Sequence, residues 1–296
     1  MKSGKFIAAI VLITGLLFSW APSTMANSGM KAMGTITILR KGPVTIHSYM
    51  SPNSMVTSQI IETKNKLVVI DSQFVRPYAQ EVRNYANRLN KPIDRVIVSH
   101  NHPDHWFGLE FFTDVPIYSL QETRDQIDKT GDVFIKRNRG RMGELVTDQK
   151  ILPNMTIKEG KETIDGLEYE FVKVSNAEAQ VQLLIKFPEL GTLVAQDLVY
   201  NNVHLVIGAK GAINGWKQAL IRLERMKEYQ TILAGHGEPT NQAVYNELLQ
   251  YLEDAGDFLA TSQTGDEYKQ KLLDKYPSYG FAFAINISIS RLFKDH

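Results

Sequence analysis

A six-residue segment that contains three histidines constrains this chain more than any other feature of its sequence. His100, His102 and His105 occur in HNHPDH, directly after the apolar run 95–99. Such a short apolar run predicts a buried strand, so the histidines stand where a strand ends and a loop begins. Because side chains two residues apart in an extended segment point the same way, His100 and His102 can share one metal ion. Asp104 and His105 follow a proline and can turn toward a second ion.

The types of side chain in this segment indicate which metal it would bind. Imidazole and carboxylate ligands without thiolate suit zinc, and iron or manganese are alternatives. The chain contains no cysteine, so thiolate ligands and a disulfide framework are excluded. The competing interpretation is a polar surface turn that happens to be rich in histidine. We disfavour it because histidines seldom cluster at the end of a strand without a charge to bind.

Short runs rich in Val, Ile and Thr on both sides of the histidine cluster predict a β-rich protein. Strands are predicted at 35–39, 44–47, 56–61, 67–70, 95–99, 169–174, 181–187, 192–195 and 231–234. Apolar residues at helical spacing predict helices over 78–89 and 216–223, and a third over 244–252 with Thr240 as its N-cap. Two β-rich stretches, each followed by helices, predict an α+β sandwich of two sheets covered by helices.

The segment 278–293 can be interpreted in more than one way. Its aromatic and isoleucine residues alternate strictly from Phe281 to Ile289, which favours a strand or an exposed apolar flap over a site. The plainer interpretation is a terminal element that closes the core. We prefer the plainer interpretation, because alternation over so short a segment is weak evidence for a strand.

The first 26 residues have the three-part layout of a secretory signal peptide. Lys2 and Lys5 precede the apolar run 6–20, and small residues follow up to Ala26. The run is shorter than the roughly 20 apolar residues that a bilayer span needs, so cleavage after Ala26 is favoured over a membrane anchor. We therefore expect a periplasmic or secreted protein that leaves the membrane once its signal peptide is removed. Residues 27–296 are predicted to form a single domain with a helical extension at its C-terminal end.

The balance of charges excludes one class of partner. Lys and Arg number 33 against 32 for Asp and Glu, a formal net charge of +1, whereas nucleic-acid-binding modules usually carry a clear basic excess. The composition, 43% hydrophobic and 22% charged, is that of an ordinary globular protein. We therefore expect the partner to be a small-molecule substrate and not a nucleic acid. The sequence does not indicate the oligomeric state.

The segment HNHPDHWFG resembles the HxHxDHxxG motif of the metallo-β-lactamase superfamily. The resemblance implies a four-layer αββα sandwich with a dinuclear metal site on one edge. Other parts of the chain are similar to the family pattern as well. The segment LVVID ends at Asp71, LVAQD ends at Asp197 and ILAGHG contains His236. One difference precedes Asp197, where the family usually has a glycine and this chain has Gln196.

A second difference from the family pattern concerns one of its metal ligands. Most members carry a histidine in the turn before Asp197, but this chain has no histidine between 106 and 203. Glu178 is the only metal-competent side chain in the corresponding turn, 174–181. The segment EAQVQLLIKFP is similar to a stretch of the alkyl-sulfatase branch in which a glutamate is a ligand. We therefore predict Glu178 as the ligand, the alternative being a solvated glutamate beside an incomplete metal site.

Carried over residue by residue, the resemblance implies two zinc ions per chain. The first would be bound by His100, His102 and Glu178, the second by Asp104, His105 and His236, with Asp197 as the bridging ligand. Asp71 would orient a ligand imidazole from behind. The resemblance further implies catalytic roles for Asp104 and Asp197. From its place shortly after Asp197 we predict that His204 takes part in catalysis and that Asn201 and His204 contact substrate, although a polar residue at a strand end is an equally good interpretation.

Together these features predict an exported, zinc-dependent hydrolase. A hydroxide held between the metals would attack an ester, lactone, sulfate ester or related bond. One alternative is a non-catalytic relative that binds a metal or another ligand. The other is a divergent β-lactamase, which we disfavour because the chain lacks both the cysteine and the histidine that β-lactamases of this fold use as ligands.

Overall fold

Two β-sheets form the centre of the fold in a computed structural model, which describes residues 34–293. The signal peptide predicted at 1–26 lies outside the described residues. The first sheet contains, in spatial order, β1 (Thr35–Lys41), β2 (Val44–Met50), β3 (Thr57–Glu62), β4 (Leu67–Ile70), β5 (Ile93–Ile97), β6 (Ile117–Ser119) and β7 (Met155–Thr156). Its first four strands are antiparallel and the rest are parallel.

The second sheet has five strands, and its hairpins follow from the sequence. In spatial order it contains β12 (Thr231–His236), β11 (Thr192–Tyr200), β10 (Val181–Phe187), β9 (Leu167–Ser175) and β8 (Gly160–Ile164). The turn between β8 and β9 consists of Asp165 and Gly166, both with positive φ, as a tight two-residue hairpin requires. Strands β11 and β12 run parallel to each other, so the two chain segments reach the same edge of the sheet together.

Helices cover the outer faces of both sheets. They are α1 (Arg76–Arg88), α2 (Pro103–Trp106), α3 (Gln121–Met142), α4 (Ala212–Glu224), α5 (Ala243–Thr261), α6 (Gly265–Lys275) and α7 (Phe283–Leu292). One apolar cluster joins the first sheet to α1 and α3, and another joins the second sheet to α4 and α5. A third lies between the two sheets. The predicted four-layer αββα sandwich is therefore confirmed.

Alternation along the strands explains how one strand serves two layers. In β4, Val69 packs under the helices, whereas Val68 and Ile70 point into the space between the sheets. In β11, Leu193 packs under the helices and Val194 points between the sheets. Each fully buried side chain of this size contributes about 1.5–3 kcal/mol relative to an exposed one. The edge that carries the histidines is thus built on a rigid frame.

The structure agrees with the preferred interpretation of the segment 278–293 as a terminal element that closes the core. Most of it forms α7, which buries Ala284, Ile285 and Ser288 on one face, and it is not the strand that the alternation favoured. Tertiary contacts decide such a short segment, because its apolar residues fit the helical period as well as the strand period. Thr240 is not a helix N-cap either, since it pairs with Ile232 through two backbone hydrogen bonds. Among residues 34–293, no helix is both long enough and apolar enough to cross a bilayer.

Candidate metal centre

The loop after β5 turns the histidine cluster toward one edge of the sandwich. His102 has an extended backbone conformation and precedes Pro103, which is the first residue of the one-turn helix α2. Proline fits this position because its fixed φ matches the helix and its missing N–H group is not needed there. The helical turn changes the direction of the chain after His102. Asp104 and His105 therefore point to a different place from His100 and His102.

The second sheet brings the remaining candidates to the same edge. Asp197 lies within β11, and His236 is the last residue of β12. Glu178 lies in the tight turn between β9 and β10, where Asn176 has positive φ and its N–H group donates to the carbonyl oxygen of Gln180 at 3.0 Å. The Glu178 side chain is only 1% exposed. The solvated glutamate considered as an alternative is therefore excluded.

The first group of candidates contains His100, His102, Glu178 and Asp197, whose potential ligand atoms all lie within 4.8 Å of one another. Nδ1 of His102 is 3.4 Å from Oε1 of Glu178 and 4.0 Å from Oδ2 of Asp197. Nε2 of His100 is 3.9 Å from Oε2 of Glu178 and 3.5 Å from Oδ2 of Asp197. These distances leave room for one cation among the four side chains.

The second group contains Asp104, His105 and His236, and Asp197 lies beside it as well. Nε2 of His236 is 3.4 Å from Oδ2 of Asp104, and Nε2 of His105 is 3.9 Å from the same oxygen. Asp197 places Oδ1 at 3.1 Å from Nε2 of His105 and Oδ2 at 3.5 Å from Nε2 of His236. A carboxylate in contact with both groups is where a bridging ligand would lie.

Four buried atoms of these side chains have no hydrogen-bond partner among the described residues: Nε2 of His100, Nε2 of His105, Oε2 of Glu178 and Oδ1 of Asp197. Unpaired buried polar atoms cost free energy, and native proteins contain few of them. All four atoms point into the candidate site and carry lone pairs that a cation can bind. The seven side chains therefore fit a pair of metal ions.

Asp71 is linked to a histidine of each group through Nδ1, the ring nitrogen that faces away from the candidate site. Its Oδ2 is 2.7 Å from Nδ1 of His105 and accepts a hydrogen bond from Oγ of Ser99 at 2.7 Å. Oγ of Ser99 is in turn 2.9 Å from Nδ1 of His100. An ionised Asp71 only accepts, so both imidazoles place their proton on Nδ1 and leave Nε2 free for a metal.

Gln196, which the sequence marked only as a difference from the family, also contacts Asp71. Its Nε2 donates a hydrogen bond to Oδ2 of Asp71, although the two residues are 125 positions apart. The Gln196 backbone has φ of 44°, in a region that glycine adopts freely and other residues seldom do. The usual glycine would fit this backbone equally well but would leave Asp71 without the amide donor.

The buried charges of the cluster shift the pKa values of its members. Burial lowers the pKa of His100 to about 4, which keeps this ring neutral at neutral pH. Burial also raises the pKa of Glu178 to about 7. Burial disfavours the protonated form of His236, but Asp197 and Asp104 outweigh this effect and raise its pKa to about 10. Cations that bind here would displace protons from such imidazoles, so metal binding should release protons.

The ring of His236 is fixed by residues that sequence analysis did not identify. Its Nδ1 donates to the carbonyl oxygen of Ser54 at 2.8 Å. Tyr200 stacks on one face of the ring at 4.6 Å and also donates from its hydroxyl to Oδ2 of Asp197 at 3.1 Å. Phe281 stacks on the ring at 5.3 Å. The sequence carries no local signal for these contacts, because the residues come from distant segments.

The two residues predicted to contact substrate, Asn201 and His204, make hydrogen bonds within the protein. Asn201 donates from its side chain to the carbonyl oxygen of Glu238 at 2.9 Å. His204 is fully buried, its Nδ1 is 3.0 Å from the hydroxyl of Tyr251, and its ring also packs near that of Tyr279. The catalytic and substrate-binding roles of His204 and the substrate-binding role of Asn201 therefore remain predictions.

The burial of His204 predicts a pH dependence of stability. Burial lowers its pKa from 6.5 to about 4, so the unfolded chain binds a proton that the folded protein does not. Stability should therefore fall as the pH decreases from 6.5 to 4, by about 3 kcal/mol for this group. His204→Gln should show a smaller loss of unfolding free energy than the wild type between pH 7 and pH 4 in urea titrations. Equal losses for the two proteins would contradict this account.

Comparison with known proteins gives three findings. The family model described as the metallo-beta-lactamase superfamily matches residues 52–236. The alkyl/aryl-sulfatase BDS1 of Saccharomyces cerevisiae is 26% identical over 242 residues, which cover 68% of this chain and 38% of that protein. The linear primary-alkylsulfatase of a Pseudomonas species is 26% identical over 228 residues, 65% of this chain and 34% of that protein. The chain thus spans only about a third of the length of either sulfatase.

Solved structures with the same fold are also found. A metallo-beta-lactamase from Pontibacter korlensis superposes with a TM-score of 0.60 at 18% identity, over 74% of this chain and 100% of that one. The metallo-beta-lactamase IND-7 gives a TM-score of 0.59 at 20% identity, over 74% and 98% of the two chains. At these identities the similarity concerns the fold.

Proposed function

The chain belongs to the metallo-beta-lactamase superfamily, and from this premise we propose that it is a zinc-dependent hydrolase of sulfate esters. The observation that carries the proposal is the convergence of two groups of ligand candidates on Asp197, with four buried ligand atoms left unpaired among the described residues. Imidazole and carboxylate donors favour zinc, and iron or manganese are alternatives.

Two observations support a sulfate ester as the substrate. Glu178 lies in the turn where most members of the family have a histidine, and the segment that begins with it is similar to the alkyl-sulfatase branch. Two sulfatases are among the relatives, although the chain covers about a third of their length. Carboxylic esters and lactones are the next candidates.

Each group of residues would hold one of the two cations. His100, His102 and Glu178 would hold one cation, Asp104, His105 and His236 the other, and Asp197 would bridge them. Bound cations of this kind lower the pKa of a water molecule and stabilise negative charge on a substrate oxygen. Asp71 and Ser99 hold the Nδ1 protons of His105 and His100, so that neither ring can turn its lone pair away from the site.

We also propose that the protein acts outside the cytoplasm. The signal-peptide pattern at 1–26 supports a periplasmic or secreted location. N-terminal sequencing or intact mass of the protein recovered from its native cells should show cleavage after Ala26. Recovery of the uncleaved chain in the cytoplasm would contradict this part of the proposal.

The central experiment combines metal analysis with a substrate screen. Protein prepared without chelator should contain about two equivalents of zinc by elemental analysis and should hydrolyse dodecyl sulfate or para-nitrophenyl sulfate. His102→Ala should abolish this turnover and lower the metal content. A metal-free native protein would overturn the proposal. Bound metal without turnover of sulfate, carboxylic or phosphate esters would favour a non-catalytic metal-binding relative, and efficient hydrolysis of penicillins or carbapenems would favour a β-lactamase.

A further inference from the structure

The chain segment between α6 and α7 returns to the edge of the sandwich that carries the candidate metal centre. Gly280 donates from its N–H group to the carbonyl oxygen of Asn202 at 2.9 Å, and its own carbonyl oxygen accepts from the N–H group of His204 at 3.0 Å. A Cβ at position 280 would lie 2.5 Å from Sδ of Met55, so a larger residue would force this methionine side chain to move. The segment is thereby fixed between two loops, one after β11 and one before β3.

Phe281 is the residue that this arrangement presents to the metal centre. Its ring is nearly parallel to that of His236, with an interplanar angle of 7° and 5.3 Å between the ring centroids. Tyr200 stacks on the same imidazole at 4.6 Å and 15°. His236, whose Nε2 points at Asp104 and Asp197, is thus stacked against two aromatic rings.

The backbone of Phe281 is strained. Its φ is 53°, in the left-handed region where a bulky side chain is an outlier. Such conformations cost about 1–3 kcal/mol and persist where the surroundings impose them, often at functional sites. The neighbouring contacts hold the residue there: the hydrogen bonds of Gly280, the hydrogen bond from the N–H group of Ala284 to the carbonyl oxygen of Phe281 at 2.9 Å, and the stack on His236.

We propose that Phe281 is a positioning residue for His236 and thereby for the second metal ion. This inference rests on the proposed function, because it requires the second group to bind a metal. Phe281 lies outside residues 52–236, which the family model matches, so this contact with His236 comes from a part of the chain beyond that match.

Two physical effects support this role. Stacked rings hold the plane of the imidazole, so Nε2 keeps its direction toward the metal without loss of side-chain entropy on binding. An imidazole bound to a divalent cation also carries part of its positive charge, and the negative faces of neighbouring aromatic rings stabilise such charge. Both effects favour the metal-bound state over the metal-free state.

The decisive experiment measures metal affinity directly. Apoprotein would be titrated with zinc in competition with a chromophoric chelator, which yields two dissociation constants. Phe281→Leu keeps an apolar side chain and the same backbone strain but removes the ring. It should raise the dissociation constant of the second zinc ion by about 10–100-fold. The first constant should stay within about twofold, because the ring that Phe281 stacks on, His236, belongs to the second group. Phe281→Tyr keeps the ring face and should restore the affinity of the wild type.

Controls separate positioning from folding. Phe283→Ala changes an aromatic residue two positions further on that is 60% exposed, and it should leave both constants unchanged. If Phe281→Leu fails to fold, Phe281→Gly provides the test, since glycine adopts positive φ without strain. Cobalt-substituted protein should show an altered visible absorption spectrum for the second site alone.

The outcomes distinguish this inference from the proposed function. A wild type that binds two zinc ions, together with a Phe281→Leu variant of unchanged second constant, would overturn the role of Phe281 and leave the proposed function standing. Equal weakening by Phe281→Leu and Phe281→Tyr would also overturn it, since that result would indicate packing alone. A wild type that binds no second zinc ion would overturn both.

Discussion

Glu178→Gln should lose one of the two metal equivalents while the protein stays folded. Glu178 is buried, its Oε1 lies 3.4 Å from Nδ1 of His102, and its Oε2 has no hydrogen-bond partner within residues 34–293. Glutamine has almost the same shape but is neutral, and its amide N–H2 group would point at a cation. The first site would lose a charged ligand. Its zinc affinity should therefore fall by more than the roughly 10–100-fold that is typical when a residue hydrogen-bonded to a metal ligand is changed.

The fold should tolerate this change because Glu178 lies in a turn and not in one of the three apolar clusters. Replacing a buried carboxylate by a neutral amide also removes the cost of burying a charge. Elemental analysis should therefore give about one zinc per chain, with turnover reduced by at least about 100-fold. The unfolding free energy of the metal-free protein should not decrease.

Glu178→His is the matched control for this prediction. It introduces the imidazole that most members of the family have in this turn, so the first site should again bind zinc. If Glu178→Gln kept two zinc ions and full activity, Glu178 would be only a buried acid. The first site would then be completed by another group or left with two histidines and Asp197.

Asp71→Asn should weaken both metal sites at once. Oδ2 of Asp71 is 2.7 Å from Nδ1 of His105 and 2.7 Å from Oγ of Ser99, which continues to His100. Asparagine has one carbonyl oxygen and one N–H2 group. In place of Oδ2, the N–H2 group would face the donors of His105 and Ser99; in place of Oδ1, it would face the backbone N–H group of Ser99, which donates to that oxygen at 2.8 Å. In the first case the imidazole of His105 would turn or change its tautomer, and in the second the backbone of Ser99, whose hydroxyl contacts His100, would shift.

The expected loss is large for a residue that would not touch the metal. Partners that orient ligand histidines typically contribute about 10–100-fold in metal affinity or activity, and a histidine fixed in the wrong tautomer has cost about 10,000-fold in another enzyme class. We therefore expect turnover to fall by at least about 100-fold. The unfolding free energy should fall by about 1–3 kcal/mol, because buried donors lose their partner.

Ser99→Ala tests the link between Asp71 and His100 separately from the link between Asp71 and His105. It removes the contact with His100 but leaves the direct contact between Asp71 and His105. Zinc titrations should show weakening of the first site alone for Ser99→Ala and of both sites for Asp71→Asn. If both sites of the Asp71→Asn variant bound zinc with the affinity of the wild type, Asp71 would have no role in orienting the imidazoles.

The parts of the centre that could be predicted are those with a local pattern. HNHPDH directly follows a strand, and His236 stands between two glycines after another. Asp71 and Asp197 carry no signal beyond their place after apolar runs, and the family resemblance identified them. The family resemblance implied a ligand in the turn 174–181, where Glu178 is the only metal-competent side chain, and the structure shows this side chain buried beside both histidines of the first group.

The contacts around these residues could not be predicted, because they join distant segments. Gln196 reaches Asp71 across 125 positions, and Phe281 reaches His236 from the C-terminal part of the chain. The alternating segment that contains Phe281 favoured a strand, yet most of it is the helix α7. The sequence of that segment is compatible with both periods, and packing against the rest of the protein selects one.

By itself, the sequence predicted nine of the strands and the helices α1, α4 and α5, and the family resemblance implied the edge at which the ligand candidates gather. The strands and helices that were predicted depend on hydrophobic periodicity and on residue types that recur at short range. Only the tertiary structure decided that Asp71 serves two histidines, that Gln196 reaches Asp71 and that Phe281 stacks on His236. The physical reason is that side-chain geometry at a buried site depends on how separate segments pack, and local periodicity carries no information about that packing.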